Sequence, residues 1–557
     1  MSRWRRLGHA LGQPARWGAL VSGALLVLAF PAPNIEFLAW FGLVPGLLLM
    51  RAAPSAREAA VRAWWFGAGF IMAAHYWLAP EIGPALLLVA IVLGACWIGV
   101  GVSIWMLLRA PVTPGRALAA LVVVPSYWLL VEWIRSWQAL GGPWALLGAS
   151  QWQHPAILGL AAVGGVWLIS FAIVAANTGI VILIVAPGVA IRALGGAAAA
   201  IAIAAGPVAF ALTPTVRPAG FVTMALVQPG IENNSRLADN ASQRLSAGLG
   251  RRHPGLIVWG ESSIAYDLRL DHGLLRQLEN LSAANGAQIL VNQDSYTPKG
   301  KSKVAVLISP HGIVATYTKT RLVPFGEYIP FRQQLGWLTS ISKAAPTNMI
   351  PGDGARVMTA TTPDGRPLKI GVLICFEAAF PDMSRADTRH GAQLIVYQTS
   401  DSTFQGSWAP AQHASLSAVR AAETGRPVVQ AALTGVTAAF DAQGRQLAWL
   451  GTAQRGVALV RLDLVPATRF TLFDHIGDTV PWAAIAICIV AALVVLNRRH
   501  GPQRLVGIMV NGNRRPASSV SILEAVDRDG MPGSPVTGEE DRDIRAGGPA
   551  HRMEDKP

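Results

Sequence analysis

Three side chains have the types and settings that attack by a thiol requires. Cys375 closes the strand-like run Leu368–Ile374 and is followed by Phe376 and Glu377. Glu261 stands just past Leu256-Ile257-Val258-Trp259-Gly260. Lys319 lies in the polar turn Tyr317–Arg321, ahead of Leu322-Val323-Pro324-Phe325-Gly326-Glu327-Tyr328. A nucleophile at a strand end can project into a cleft while its backbone N–H groups stay available. A carboxylate can remove the thiol proton, and an ammonium can favour thiolate over thiol and steady a tetrahedral oxyanion. Each pKa unit of thiolate stabilisation is worth about 1.4 kcal/mol.

Each residue alone also has a plain structural reading. Cys375 could be a small core residue, Glu261 a helix N-cap, and Lys319 a solvated loop residue. Glu327 could pair with Arg321 or Arg332, and Glu377 could hold a loop. The apolar Leu-Val-Pro-Phe-Gly run beside Lys319 is unlike an exposed loop, and the three together form a coherent Glu-Lys-Cys set. His413, on a helical stretch, is read as structural. His75 and Glu132, near apolar windows, are left outside the site.

The elements that must carry these residues are short β runs alternating with helical stretches. The runs are Val222–Val227, Leu256–Trp259, Gln288–Asn292, Val304–Ser309, Ile370–Ile374, Leu394–Gln398, Val428–Ala432 and Val457–Arg461. Turn signals at 309–312 and 441–444 punctuate them. Asp271–Asn285 and Ala411–Thr424 have helical periodicity. This is an α/β domain large enough for its own core.

The rest of the chain belongs to a membrane. Hydrophobic residues make up 52% and charged residues 14%, against about 25% charged in soluble domains. A wholly soluble chain and a disordered one are both excluded. The net charge of +14 fits basic residues flanking spans better than nucleic-acid binding. Three cysteines are too few for a disulfide framework. Apolar windows at 17–33, 36–51, 62–79, 84–108, 117–134, 157–185 and 190–213 approach the length of a span, and an eighth covers 481–496. With the N-terminus inside, Arg51, Arg57, Arg62, Arg109, Arg116 and Arg192 fall in cytoplasmic loops, while the outer loops 30–36 and 79–84 hold no Lys or Arg. The expected organisation is a seven-span bundle over 1–213, a catalytic domain over 214–478 outside the cell, a final span over 479–499 and a disordered cytoplasmic tail over 500–557.

Motifs throughout the chain resemble the bacterial apolipoprotein N-acyltransferases, membrane-embedded members of the nitrilase (carbon–nitrogen hydrolase) superfamily. They are Phe30-Pro31-Ala32-Pro33, His75-Tyr76-Trp77-Leu78, Glu132-Trp133-Ile134-Arg135, Gly142-Pro143-Trp144, Lys319 with Val323–Pro330, Cys375-Phe376-Glu377 and Arg420–Val429. The resemblance implies an α-helical transmembrane bundle of about eight spans plus an extracytoplasmic nitrilase-like αββα sandwich, in the bacterial cytoplasmic (inner) membrane. It implies that Cys375 takes an acyl chain from a phospholipid as a thioester and passes it to the α-amine of a lipoprotein's N-terminal diacylglyceryl-cysteine. Glu261 matches the general base, Lys319 the catalytic lysine, and Glu327 and Glu377 supporting carboxylates. Phe376, where the family often has Tyr, and Leu237, near a common Trp, depart from the pattern. A membrane-anchored amidase or nitrilase-type hydrolase would use the same triad with water as acceptor, and a non-catalytic scaffold would not need it. No cofactor or metal is expected, since no Cys/His ligand spacing or phosphate loop is present. In some relatives a polyprenol-phosphate mannose synthase is associated, which makes it a candidate partner for the tail.

Overall fold

The computed structural model describes residues 13–511, apart from 215, 233, 265, 299 and 341–344. Residues up to Val495 form one compact unit; the second unit, from Leu496, is described only as helix to Asn511. The expected disordered tail therefore lies outside the described residues from 512 on, and residues 500–511 are helical.

The apolar first part is helical because a helix satisfies its own backbone polar groups where no water can. The helices are α1 (Pro14–Leu25), α2 (Val44–Arg51), α3 (Ala56–Ala74), α4 (Ala85–Leu108), α5 (Pro114–Arg135), α6 (Ala161–Val185) and α7 (Val189–Leu212). Among the described residues five helices are long and apolar enough to cross a membrane: α4 to α7 and Thr479–Asn497. The other three expected windows differ. Window 17–33 is a shorter apolar helix, Pro14–Ala29. Window 36–51 is broken into the 3-10 turn Glu36–Trp40 and the eight-residue α2, too short at 1.5 Å per residue to cross about 30 Å. Window 62–79 falls mostly in α3, which carries Arg57, Glu58 and Arg62 in its first turns. There Glu58 pairs with Arg16 (2.6 Å) and Arg62 (3.2 Å).

The α/β domain is built on two six-stranded sheets. The strands are β1 (Gly220–Gln228), β2 (Leu256–Trp259), β3 (Gln288–Thr297), β4 (Gly300–Ser309), β5 (Gly312–Thr318), β6 (Val357–Thr361), β7 (Pro367–Ile374), β8 (Leu394–Thr399), β9 (Val428–Ala432), β10 (Thr437–Phe440), β11 (Gln446–Leu450) and β12 (Gly456–Leu464). Their orders are β12-β1-β2-β3-β4-β5 and β11-β10-β9-β8-β7-β6. Each sheet has a parallel centre, β1-β2-β3 in one and β7-β8-β9 in the other, flanked by antiparallel strands. The central strands β2, β8 and β9 are buried throughout, which explains their mostly apolar sequences, with Gln398, Thr399 and Gln430 as buried polar exceptions.

Alternation sorts the first sheet's two faces. Met224, Leu226, Leu256, Val258, Leu290, Ala305 and Leu307 join the core shared with the second sheet. Ala225, Ile257, Ile289, Val306 and Ile308 face outward, packing with Leu274 and Leu278 of helix α9 (His272–Asn285), which follows α8 (Ser235–Ser246). Helices α10 (Pro381–Arg389) and α11 (Ala409–Thr424) cover the second sheet. The layers are thus the expected αββα sandwich. All eight expected strands are present; β5, β6, β10 and β11 are additional, and β3 and β4 extend past their expected limits.

The domain is keyed onto the bundle by buried polar contacts. Helix α6 is broken at Gly164 and Gly165, the latter at φ +70, and a Cβ on Gly165 would meet the Phe473 ring at 2.6 Å. The N–H of Val166, freed by that break, donates to Glu423 Oε1 of α11 at 2.8 Å. Trp144 Nε1 donates to Gln412 (3.0 Å) and Gln138 Nε2 to the Leu322 carbonyl (2.8 Å).

Candidate active site

Strand geometry brings Glu261, Lys319 and Cys375 together from far apart in the chain. Gly260 follows β2 where the two sheets' backbones nearly touch: a Cβ there would lie 2.0 Å from the Leu433 nitrogen. Glu261 follows, its N–H bonded to the Thr399 carbonyl of β8 at 3.1 Å. On β5, Ala315 and Tyr317 pack into the inter-sheet core, so period-two alternation directs Lys319 the same way. Cys375 leaves β7 in a left-handed conformation, φ +51, and opens the 3-10 turn Cys375–Ala379.

Lys319 is only 1% exposed. Its Nζ donates to Glu261 Oε1 at 3.1 Å and to Glu327 Oε1 at 2.8 Å. The second oxygen of Glu327 accepts from Val323 N at 2.9 Å, which folds the Val323–Glu327 turn over the lysine. Glu261 and Lys319 are the charged groups that act most strongly on the Cys375 thiol. Burial would push Glu261 up, yet Lys319 and Lys303 hold it below the usual carboxylate range. Burial would likewise push Lys319 down, yet Glu261 and Glu327 hold it well above its ordinary value. Burial and then Glu261 push the Cys375 thiol well up, outweighing Lys319. The resting arrangement is therefore thiol, carboxylate and ammonium. Lys319 favours the thiolate, as expected of an ammonium, but burial and Glu261 outweigh it.

Glu377 is wholly buried and accepts four hydrogen bonds. Oε1 takes Thr320 N (2.6 Å), Arg321 N (2.9 Å) and Tyr317 OH (2.8 Å); Oε2 takes Ile374 N (2.7 Å). It ties the lysine's loop to the nucleophile's strand and does not itself contact Lys319 among these bonds. Phe376 packs edge-on to Phe380 with centroids 5.0 Å apart, and both rings reach Gly142 of the bundle side. Leu237 is 40% exposed on α8, away from this cluster.

Four more polar residues surround the site. Lys303 Nζ lies 3.6 Å from Glu261, 2.6 Å from Ser262 Oγ and 3.1 Å from Asp294 Oδ1. Lys303 and Asp294 sit on the parts of β4 and β3 that the sequence reading left out. Parity with Ala305 and Leu307 is the signal that could have found Lys303. His413 bonds Asp401 (2.9 Å) and the Cys375 carbonyl (3.0 Å). Ligand-type atoms of Cys375, Asp401 and His413 lie within 4.8 Å of one another, but both imidazole nitrogens are engaged in those two bonds.

The two-sheet domain corresponds to a known class: residues 224–470 match the carbon-nitrogen hydrolase family model. A solved amidase from Nesterenkonia sp. AN1, with an active-site cysteine, aligns over 46% of this chain and 98% of its own at 19% identity and a TM-score of 0.33. The particular branch follows from the other half of the molecule. Residues 22–179 match the model of the apolipoprotein N-acyltransferase N-terminal domain. Curated apolipoprotein N-acyltransferases are similar along nearly their whole length. That of Geobacter metallireducens is 29% identical, covering 86% of this chain and 95% of the relative. That of Chlorobaculum tepidum is 28% identical, covering 86% and 96%. Over most of its length the chain is thus similar to apolipoprotein N-acyltransferases, and its two parts match that N-terminal domain and the carbon-nitrogen hydrolase model.

Proposed function

We propose that this membrane enzyme moves a fatty acyl chain from a phospholipid, through a thioester on Cys375, to the α-amine of the N-terminal diacylglyceryl-cysteine of apolipoproteins. The observation that carries the reading is the buried Lys319 ammonium bridging Glu261 (3.1 Å) and Glu327 (2.8 Å) beside the only cysteine of the domain. In the first half-reaction Glu261 takes the thiol proton while Sγ attacks the sn-1 ester carbonyl. Lys319 stabilises the oxyanion. Collapse breaks the ester C–O bond, and the lysophospholipid oxygen leaves with the proton from Glu261. In the second, the neutral amine attacks the thioester, Glu261 takes a proton from nitrogen, and the amide forms as the C–S bond breaks. The thiol is then restored. Glu327 orients the lysine, and Glu377 clamps loop to strand.

We place this chemistry on the extracytoplasmic side of the inner membrane, with 1–213 as bundle, 214–478 as catalytic domain and 479–499 as the last span. The arginine-bearing loops of the positive-inside pattern support that orientation. Labelling of a cysteine introduced at exposed Tyr296 by a membrane-impermeant maleimide on intact spheroplasts tests it; labelling only after lysis rejects it.

The central test uses purified protein with phospholipid alone. Intact mass should show one acyl adduct on Cys375, absent in Cys375→Ser. Adding a synthetic diacylglyceryl lipopeptide should discharge the adduct and increase the peptide mass by one amide-linked acyl chain. Free fatty acid without amide product would sink the acceptor assignment.

A further inference from the structure

His413 is 2% exposed, on α11. Nδ1 lies 2.9 Å from Asp401 Oδ1 and Nε2 lies 3.0 Å from the carbonyl oxygen of Cys375. An ionised carboxylate and a peptide carbonyl both only accept, whereas a neutral imidazole has a single N–H to give. Only the imidazolium satisfies both contacts. Asp401 Oδ2 is buried without a hydrogen-bond partner among the described residues, so His413 is the partner its carboxylate has. The titratable groups facing the ring are Asp401 from the loop after β8, Cys375 after β7 and Glu261 after β2; burial pulls the ring's pKa down, yet these neighbours raise it above its ordinary value. The indole of Trp144, from the bundle side, lies 5.7 Å from the ring, where an aromatic face favours a cation.

We infer that the His413–Asp401 pair is a positioning device for acyl transfer: a buried imidazolium that grips the Cys375 carbonyl, holds the nucleophile in its left-handed turn and polarises the Cys375–Phe376 peptide. This rests on the acyl-transfer reading above. A non-glycine residue in the left-handed region is strained and persists only where its surroundings hold it. His413 contacts that very residue, at its carbonyl oxygen. The same peptide's N–H belongs to Phe376, in the first turn of a 3-10 helix, where N–H groups have no intrahelical acceptor. Drawing electron density toward the carbonyl oxygen makes that N–H a stronger donor, next to the thiol whose tetrahedral adduct with the substrate carries the oxyanion. His413 itself exchanges no proton with substrate.

The test measures the rate of Cys375 acyl-adduct formation from phospholipid, by intact mass from pH 5 to 9, with thermal unfolding run in parallel. The imidazolium is present below the ring's raised pKa and lost as pH rises through it. The wild-type rate should therefore fall on the alkaline side. Asp401→Asn should move that fall to lower pH with the KM for phospholipid unchanged. His413→Gln, a neutral donor to the carbonyl, should keep a reduced rate and lose the alkaline fall. His413→Ala should be at least tenfold slower than His413→Gln. If His413→Ala does not fold, the Asp401→Asn profile decides. Wild-type rates and an unmoved alkaline fall in the folded variants would overturn the proposal. An adduct that persists in Cys375→Ser would instead overturn the acyl-transfer reading.

Discussion

Replacing Glu377 by glutamine separates a clamp from a chemical group. The carboxylate accepts from three donors on one oxygen and from Ile374 N on the other, all between 2.6 and 2.9 Å. Glutamine keeps one acceptor oxygen, which can retain the cluster from Tyr317, Thr320 and Arg321. Its NH2 then faces the Ile374 N–H, donor against donor, in a wholly buried place. A hydrogen bond to a charged group is worth about 1.5–3 kcal/mol, and the abandoned donor adds its own desolvation cost. If the loss is expressed in the position of Cys375, adduct formation should slow roughly 10- to 150-fold. A folded-state loss of similar size should appear as a lower denaturant midpoint. The assay pairs single-turnover adduct formation with urea or thermal unfolding in detergent. Unchanged rate and stability would refute the clamp. Abolished acylation at wild-type stability would refute it differently, by showing that Glu377 takes part in the chemistry.

Burial pushes Glu423 up to about 7 from 4.5, and Asp474 up to about 6 from 3.8. The folded protein thus holds protons that the unfolded chain has already lost, so stability should fall as pH rises from about 4.5 to 7 and then level. Glu423→Gln should remove on the order of 3 kcal/mol of that fall, read from unfolding midpoints against pH; an equal slope in both proteins rejects the assignment. Gly260→Ala should cost on the order of 3 kcal/mol and displace Glu261, because its Cβ meets main-chain atoms at 2.0 and 2.6 Å; a normally stable, active variant contradicts the close approach. Lys303→Met removes one of two ammoniums that hold Glu261 down. The acidic limb of the adduct-formation profile should move to higher pH, and an unmoved limb rules out Lys303 as a source of that depression.

The three candidate residues that the fold brings together were legible because each follows or lies in a short recognisable pattern. Cys375 ends an apolar run, Glu261 follows one after glycine, and Lys319 and Glu327 bracket a single turn. The eight expected strands include every parallel one, whose burial leaves short, mostly apolar runs in the sequence. The four others, β5, β6, β10 and β11, include three of the four sheet edges. Three of them are partly exposed, and their patterns blur into loops. The ends of β3 and β4 were missed for the opposite reason. Asp294 and Lys303 are polar because they line the site, and polarity in a linear reading looks like a strand's end.

Composition and motif spacing by themselves established a membrane chain with an α/β thiol domain, since burial demands follow from residue type and period alone. Tertiary structure decided what each polar group does. The partners of Glu377 lie 3 to 60 residues away in sequence, and those of His413 12 and 38. The protonation of Cys375 depends on burial and on carboxylates contributed by other strands. A linear chain specifies which groups exist, but electrostatic and hydrogen-bond energies depend on distances that only the packed sheets create.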